Sequence, residues 1–260
     1  MQKFLQKRTI PQILVLGFLS VLLIGGTLLT LPIASQSGTF TNFWDAFFTA
    51  ASGLFVTGQI TLNTAEHWSY VGKTIIITLI EIGGLGFMTV LVLFFYFMGK
   101  RISLKEKKII QESLNIEDIS EARSLVGYVL RFSFIIQGLG ALFLSFRFIP
   151  MFGWIKGIYF SIFHAISAFC NAGFDLFGDS LIGFQQDTYI LSIIMILIVI
   201  GGLGFIVWRD LFTYRKNKKL LLHTRMVLIA SGIIMFVSFI LFMISELKHG
   251  TFAHLPLKDQ

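Results

Sequence analysis

Two short stretches of the chain combine small polar residues with a closing glycine: SGLFVTG, from Ser52 to Gly58, and SAFCNAG, from Ser167 to Gly173. Setting FTAASGLFVTGQ over FHAISAFCNAGF pairs Phe48 with Phe163, Ala50 with Ala165, Ser52 with Ser167 and Gly58 with Gly173, at a constant offset of 115 residues. The chemistry open to such stretches belongs to the backbone. Carbonyl oxygens of successive residues replace the water shell of an alkali cation when the chain adopts unusual angles, and glycine supplies those angles. Val56, Thr57 and Gly58 would offer the oxygens in the first loop, and Asn171, Ala172 and Gly173 in the second.

These loops must be held by other elements, and the sequence repeats those too. IGGLGF at Ile82–Phe87 recurs at Ile200–Phe205, offset by 118, and Pro32 and Pro150 share that offset. The glycines of IGGLGF resemble a nucleotide-binding pattern, but they are expected inside apolar helices rather than after a strand. Close helix packing around the loops is the expected role, with a hinge as the alternative.

Composition sets the solvent. With 55% hydrophobic residues, 13% charged residues and 29 Phe, too little polar surface exists to coat a water-soluble globule. Apolar runs at Ile10–Leu31, Tyr70–Tyr96, Leu125–Phe148, Thr188–Val207 and Met226–Leu247 reach the ~20 residues a helix needs to cross the hydrocarbon layer, so five spans are expected. Phe43–Ala51 and Ile158–Phe169 are too short to cross, and each ends at one of the two small turns. Half-length helices at membrane depth require protein or water beside them. The C-terminal, partly negative ends of these helices would favour a cation beneath.

Sixteen of the 21 Lys and Arg fall in the N-terminal tail, between Lys100 and Arg131, and between Arg209 and Arg225. The excess of bases on one side places that side, and the N-terminus, in the cytoplasm. Both short helices then enter from outside, where Asp45, Glu66, Asp175, Asp179 and Asp187 would attract cations. The basic residues lie between apolar runs, so nucleic acid is not an expected partner. RKNKKLLLHTR, Arg215 to Arg225, reads as an orientation signal and solvated loop, with anionic lipid or a cytoplasmic partner as the alternative. The expected order is a first helix, pore loop, helix unit at 1–99, a cytoplasmic amphipathic connector at 100–124, a second unit at 125–208, a basic loop at 209–225, and at 226–260 the first helix of a third, incomplete unit. The fold class is thus an all-α integral membrane protein of potassium-channel-like repeats, read as part of a longer chain.

FTAASGLFVTG, FHAISAFCNAGF and the doubled IGGLGF together resemble the Trk/Ktr/HKT superfamily of potassium transporters, most closely the bacterial Ktr membrane subunit. The resemblance covers nearly the whole chain. It implies four helix, pore loop, helix units in one polypeptide, dimers with one pore per subunit in the cell membrane, and docking on a cytoplasmic ring of nucleotide-binding regulatory subunits. It implies no covalent cofactor, K+ as the transported ion and Na+ as a coupling or activating ion. Gly58 and Gly173 match the filter glycines, and a glycine in the first loop goes with potassium preference in that family. The chain departs from the pattern by carrying two of the four loops.

Several residues carry two readings. Glu81 falls about 16 Å into its helix at 1.5 Å per residue, where an ionisable group is costly; its counterpart, Val199, places it outside the repeated machinery. A hydrogen-bonded carboxyl supporting a pore loop fits better than a proton or sodium relay. His164 and Ser167 are expected to hold the second half-helix, and Cys170 to pack as a small residue. Asp175 gathers cations or caps its turn. A secondary transporter with broken helices and a non-conducting assembly piece are the competing classes. No Ser-His-Asp, Cys-His or paired-carboxylate arrangement supports catalysis, and the single cysteine excludes an intrachain disulfide.

Overall fold

The structure, a computed structural model, describes residues 10–86 and 119–249. The basic N-terminal tail, the last ten residues of the span expected at Tyr70–Tyr96, most of the connector expected at 100–124 and the last residues of the chain lie outside them. Among the described residues all regular structure is helical: α1 Ile10–Thr30, α2 Phe43–Leu54, α3 Thr64–His67, α4 Tyr70–Gly84, α5 Ile119–Phe152, α6 Trp154–Phe169, α7 Thr188–Gly202, α8 Phe205–Asn217 and α9 Leu222–His249. The chain divides into two compact units, one up to Ile198 and one from Val199.

In the first unit, α2 packs on α1 and α4, and α6 packs on α5 and α4. Leu29, Trp68, Ile76, Ile80, Leu144, Phe148, Phe163 and Ile190 are fully buried in the core. Local chemistry sets the helix starts. Asn42 accepts a hydrogen bond from the Trp44 amide at 2.9 Å and opens α2, and Ser69 accepts from the Gly72 amide at 3.2 Å and opens α4, each satisfying a donor that the first helical turn leaves unpaired. The segments between helices are tied together as well. Gln36 N donates to His67 O at 2.8 Å and Ser69 N to Ala34 O at 2.9 Å, which joins the chain leaving α1 to the chain entering α4.

Among the described residues two helices are long and apolar enough to cross a membrane, Gly127–Phe152 within α5 and Leu222–Ser245 within α9; counting 188–202 with 205–214 as one broken span makes three. Val15–Thr30 forms a shorter apolar helix. Val15, Leu19, Leu23, Ile24 and Leu28 on α1 and Phe134, Ile135, Leu139, Leu142 and Phe146 on α5 are exposed, the surface expected where lipid rather than water is the solvent.

The structure departs from the sequence reading at several boundaries. The two short helices run through the first residues of the small turns, so Ser52 to Leu54 and Ser167 to Phe169 are helical. IGGLGF is a helix terminus rather than helix interior. α4 ends at Gly84 and α7 at Gly202, because Gly86 and Gly204 two residues later adopt φ +80° and +86°, angles that stop a right-handed helix. The span expected at Thr188–Val207 is broken there. Pro150 sits inside the last turn of α5 and Pro32 in a short 3-10 turn after α1. Residues 119–124 of the expected connector form the start of α5.

In the second unit, the Trp208 indole N–H donates to Ile200 O at 2.8 Å. Asp210, buried, accepts from the Leu221 amide at 2.8 Å. The stretch expected to be a solvated loop is therefore helical at both ends: α8 runs to Asn217, capped by Lys218 in the left-handed region, and α9 starts at Leu222.

Candidate functional site

The backbone after α2 and the backbone after α6 follow the same hydrogen-bond pattern. Phe55 N donates to Ala51 O at 2.8 Å and Cys170 N to Ile166 O at 2.9 Å. Val56 N reaches Gly53 O at 3.2 Å and Asn171 N reaches Ala168 O at 3.0 Å. Thr57 N reaches Ser52 O at 2.9 Å and Ala172 N reaches Ser167 O at 2.8 Å. Every pair keeps the offset of 115. The two crossed bonds, one spanning three residues and one spanning five, are the Schellman ending of a helix.

That ending needs a left-handed residue, which is usually glycine. Here the position holds Val56 at φ +56° and Asn171 at φ +60°. Asparagine tolerates the region; a β-branched valine rarely does, and such strain costs of order 1–3 kcal/mol and clusters at functional sites. Two residues further, Gly58 and Gly173 turn the chain again at φ +71° and +74°. Among the described residues no hydrogen bond is donated to the carbonyl oxygens of Val56, Thr57, Gly58, Asn171, Ala172 or Gly173. Six acceptors are left open in two matched turns.

The turns meet each other. A Cβ placed on Gly58 would run into the carbonyl oxygen of Ala172 and lie 3.3 Å from Gly173 Cα; one on Gly173 would lie 3.6 Å from Gly58 Cα. Farther out, Asn63 Nδ2 donates to Gly178 O at 3.2 Å. The structure thus brings all six sequence-predicted residues to the ends of α2 and α6, with the first turn against the second. Among the described residues no group of three His, Cys, Asp or Glu side chains could hold a metal ion.

Side chains fix the second turn more firmly than the first. Ser167 Oγ donates to Phe174 O at 2.7 Å. His164 Nδ1–H donates to Phe160 O at 2.7 Å, and Nε2 accepts from the Leu176 amide at 3.2 Å, an arrangement that requires the neutral ring with its proton on Nδ1. Asp175 Oδ1 accepts from the amides of Phe177 and Gly178, each at 2.8 Å, so its observed role is to cap the turn. A cavity of about 240 Å³ opens beside this turn, lined by His164, Ser167, Asn171, Gly173, Asp175 and Ile194 among others. In the first turn the Thr57 hydroxyl donates to Ser52 Oγ at 3.1 Å. Replacing Ser167 by alanine is expected to cost about 1 kcal/mol, the net worth of one such bond, and Ser52→Ala less, since Thr57 is exposed and water can replace the partner. Thermal unfolding of the two variants in detergent checks the order.

The glycines ending α4 are packing positions. A Cβ on Gly83 would strike the Leu54 carbonyl oxygen, and one on Gly84 would strike Cys170 Sγ and lie 2.7 Å from Cys170 Cβ. One glycine admits the end of α2 and the next admits the end of α6. Glu81, one turn earlier, accepts from Gln137 Nε2 at 3.2 and 2.9 Å and from Cys170 Sγ at 3.6 Å. Neither Gln137 nor the Asn63 to Gly178 tie was foreseen from sequence. A lone amide in an apolar run and the 115-residue spacing of Asn63 and Gly178 were the signals available. At the end of α3, burial lowers the pKa of His67 below the usual histidine value and Asp45 works against that shift. The neutral ring is the folded form, so its contribution is complete above about pH 6.5 and declines as pH falls below.

Long helices with exposed apolar surfaces define an integral membrane protein. Within that class the chain belongs to the TrkH family of cation transport proteins, whose pattern it matches over residues 3–260; this is a family of transporters, not enzymes. It is 50% identical to the potassium/sodium uptake protein NtpJ of Enterococcus hirae over 258 residues, 97% of this chain and 57% of that protein. It is 40% identical to the Ktr system potassium uptake protein B of Bacillus subtilis over 253 residues, 97% of this chain and 56% of that one. The corresponding protein of Vibrio alginolyticus is also 40% identical, over 91% of this chain and 52% of its own length. The chain spans about half the length of the curated relatives it matches.

Proposed function

We propose that this chain contributes two pore turns to a potassium uptake pathway, in which the carbonyl oxygens of Val56, Thr57, Gly58, Asn171, Ala172 and Gly173 take over the hydration shell of K+. The observation that carries this reading is the pair of matched, glycine-ended turns whose six carbonyls accept no hydrogen bond from the described residues. Carbonyls left open in this way are expensive in an apolar setting unless an ion or water meets them. The names of the relatives, potassium/sodium uptake protein and Ktr system potassium uptake protein, support K+ as the cargo and Na+ as a second ion, coupled or activating.

Two turns do not surround an ion. The remaining turns come from further chain or from a second copy, and the assembly is a homodimer in the lipid of the cell membrane. The excess of bases puts the N-terminus and the segments 100–124 and 209–225 in the cytoplasm, where they face a nucleotide-binding regulatory subunit. Segments 1–99 and 125–208 then act as helix, pore loop, helix units, and 226–260 begins a third.

The test is K+ or Rb+ uptake, with Na+ as competitor, in bacterial cells that lack their own potassium uptake and express the protein from its full coding region. Uptake that prefers K+ and loses that preference in Gly58→Ser supports the proposal. Flux ratios unchanged in that variant, with the protein present in the membrane, sink it.

A further inference from the structure

We infer that Glu81 is a positioning residue for the second turn: from α4 it fixes Cys170, the residue immediately before Asn171, Ala172 and Gly173. The inference rests on the ion-pathway reading for its meaning, but its geometry stands apart from that reading.

The end of α4 is a wall shared by both turns. Gly83 accommodates the Leu54 carbonyl at the end of α2, and Gly84 accommodates Cys170 at the end of α6. Glu81 precedes Gly84 by three residues, so it lies on the same face of α4 one turn earlier. Its Oε2 receives the Cys170 thiol at 3.6 Å and Gln137 Nε2 at 2.9 Å, while Oε1 lies 3.2 Å from the same amide nitrogen. Gln137 is buried on α5. One carboxyl therefore joins three helices, and one of the three ends at a turn with open carbonyls. Cys170 caps α6, its own amide bonded to Ile166 O. A shift of its side chain moves the carbonyls that follow it.

The repeat argues that this link does more than glue helices. At the offset of 118, Glu81 corresponds to Val199, beside the same IGGLGF; at the offset of 115, Cys170 corresponds to Phe55. Both counterparts are apolar, so neither repeated position requires a polar side chain. A polar link in an apolar span carries a desolvation cost that apolar side chains avoid, so its presence beside the second turn calls for a directional role. Hydrogen bonds set a position more sharply than apolar contact does, and the two turns lie close enough for a small displacement of one to disturb the other.

The experiment compares Glu81→Val, which copies the second motif, with Glu81→Gln, which keeps an acceptor of the same shape, in the protein expressed from its full coding region. The first readout needs no transport. The 260 residues contain one cysteine, and its alkylation by a small membrane-permeant thiol reagent is followed by mass spectrometry of the peptide carrying it. Glu81→Val is expected to speed alkylation of Cys170 at least tenfold, and Glu81→Gln to stay within about threefold of the unaltered protein. The second readout is the K+ to Na+ flux ratio, expected to fall about tenfold in Glu81→Val and to hold in Glu81→Gln. Gln137→Leu, which leaves the carboxyl with its thiol partner alone, is expected to fall between. Wild-type labelling and flux ratio in Glu81→Val overturn the inference, as does Glu81→Gln behaving like Glu81→Val. If Gly58→Ser leaves the flux ratio unchanged while labelling responds to Glu81→Val, the ion-pathway reading fails and the clamp on Cys170 survives. If Gly58→Ser changes the ratio and Glu81→Val alters nothing, the clamp fails alone.

Discussion

Gly58→Ala is expected to lower the K+ to Na+ flux ratio by at least tenfold, while Gly38→Ala, made at nearly the same backbone angle, leaves it within about threefold. The pair separates two effects that any such substitution mixes. Gly58 has φ +71° and Gly38 has φ +69°, so an added methyl strains both backbones alike, by roughly 1–2 kcal/mol. Around Gly38 nothing lies within 4 Å of the new Cβ. At Gly58 the methyl meets the Ala172 carbonyl oxygen and, at 3.3 Å, Gly173 Cα. Both are backbone atoms of the opposite turn and cannot rotate away, so the turns must separate. The oxygen that is struck is one of the six proposed to hold the ion, and a displacement that changes relative binding by about 1.4 kcal/mol changes a ratio tenfold. Gly173→Ala should fall between the two, since its Cβ finds only an ordinary contact at 3.6 Å. Flux ratios of the three variants, measured in one membrane background, check the order. Equal effects of Gly58→Ala and Gly38→Ala would show that contact between the turns is irrelevant to selection.

The elements that hold the turns were legible to different degrees, for physical reasons. The apolar runs announced helices, whereas the caps Asn42, Asn63 and Ser69, which open α2, α3 and α4, emerged only with the structure. The ends were harder. α2 stops at Leu54 with Val56 in a left-handed conformation, and no local signal marks a valine for that role; only the fold around it imposes the angle. The matching Asn171 carries a weak signal, and the glycines two residues on carry a strong one. IGGLGF misled because two adjacent glycines suit close packing inside a helix, whereas the third, at Gly86 and Gly204, ends it. Contacts between distant residues were the least legible. Glu81 stood out as a charge in an apolar run, but nothing in its neighbourhood in sequence names Gln137, 56 residues away, or Cys170, 89 away. The Asp210 to Leu221 bond, which ties α8 to the residue before α9, was hidden likewise, since an acid among bases reads first as a surface charge.

The largest expected loss of stability follows from an asymmetry between the two short helices. Thr49 and His164 occupy matching positions, offset by 115, and each bonds a carbonyl four residues back in its own helix: Thr49 Oγ1 to Asp45 O at 2.9 Å, His164 Nδ1 to Phe160 O at 2.7 Å. The threonine can do no more. The imidazole has a second nitrogen, and it receives the Leu176 amide from the chain leaving the turn, while the ring stacks on Phe177 with centroids 4.4 Å apart. His164→Leu keeps the bulk and removes both. The Leu176 N–H is left buried without an acceptor, at a cost of about 1–3 kcal/mol, and the lost ring pair adds about 0.5–1.5 kcal/mol. A total of roughly 2–4 kcal/mol corresponds to a fall in Tm of about 5–15 °C for a domain of this size, well beyond that of Ser167→Ala. His164→Gln, whose side-chain oxygen can accept from Leu176, should recover part of the loss, and Thr49→Val should cost far less than either. Unfolding curves in detergent decide the matter. If Thr49→Val proves as damaging as His164→Leu, the bond within the helix is what counts, and the imidazole's reach across the second turn contributes nothing.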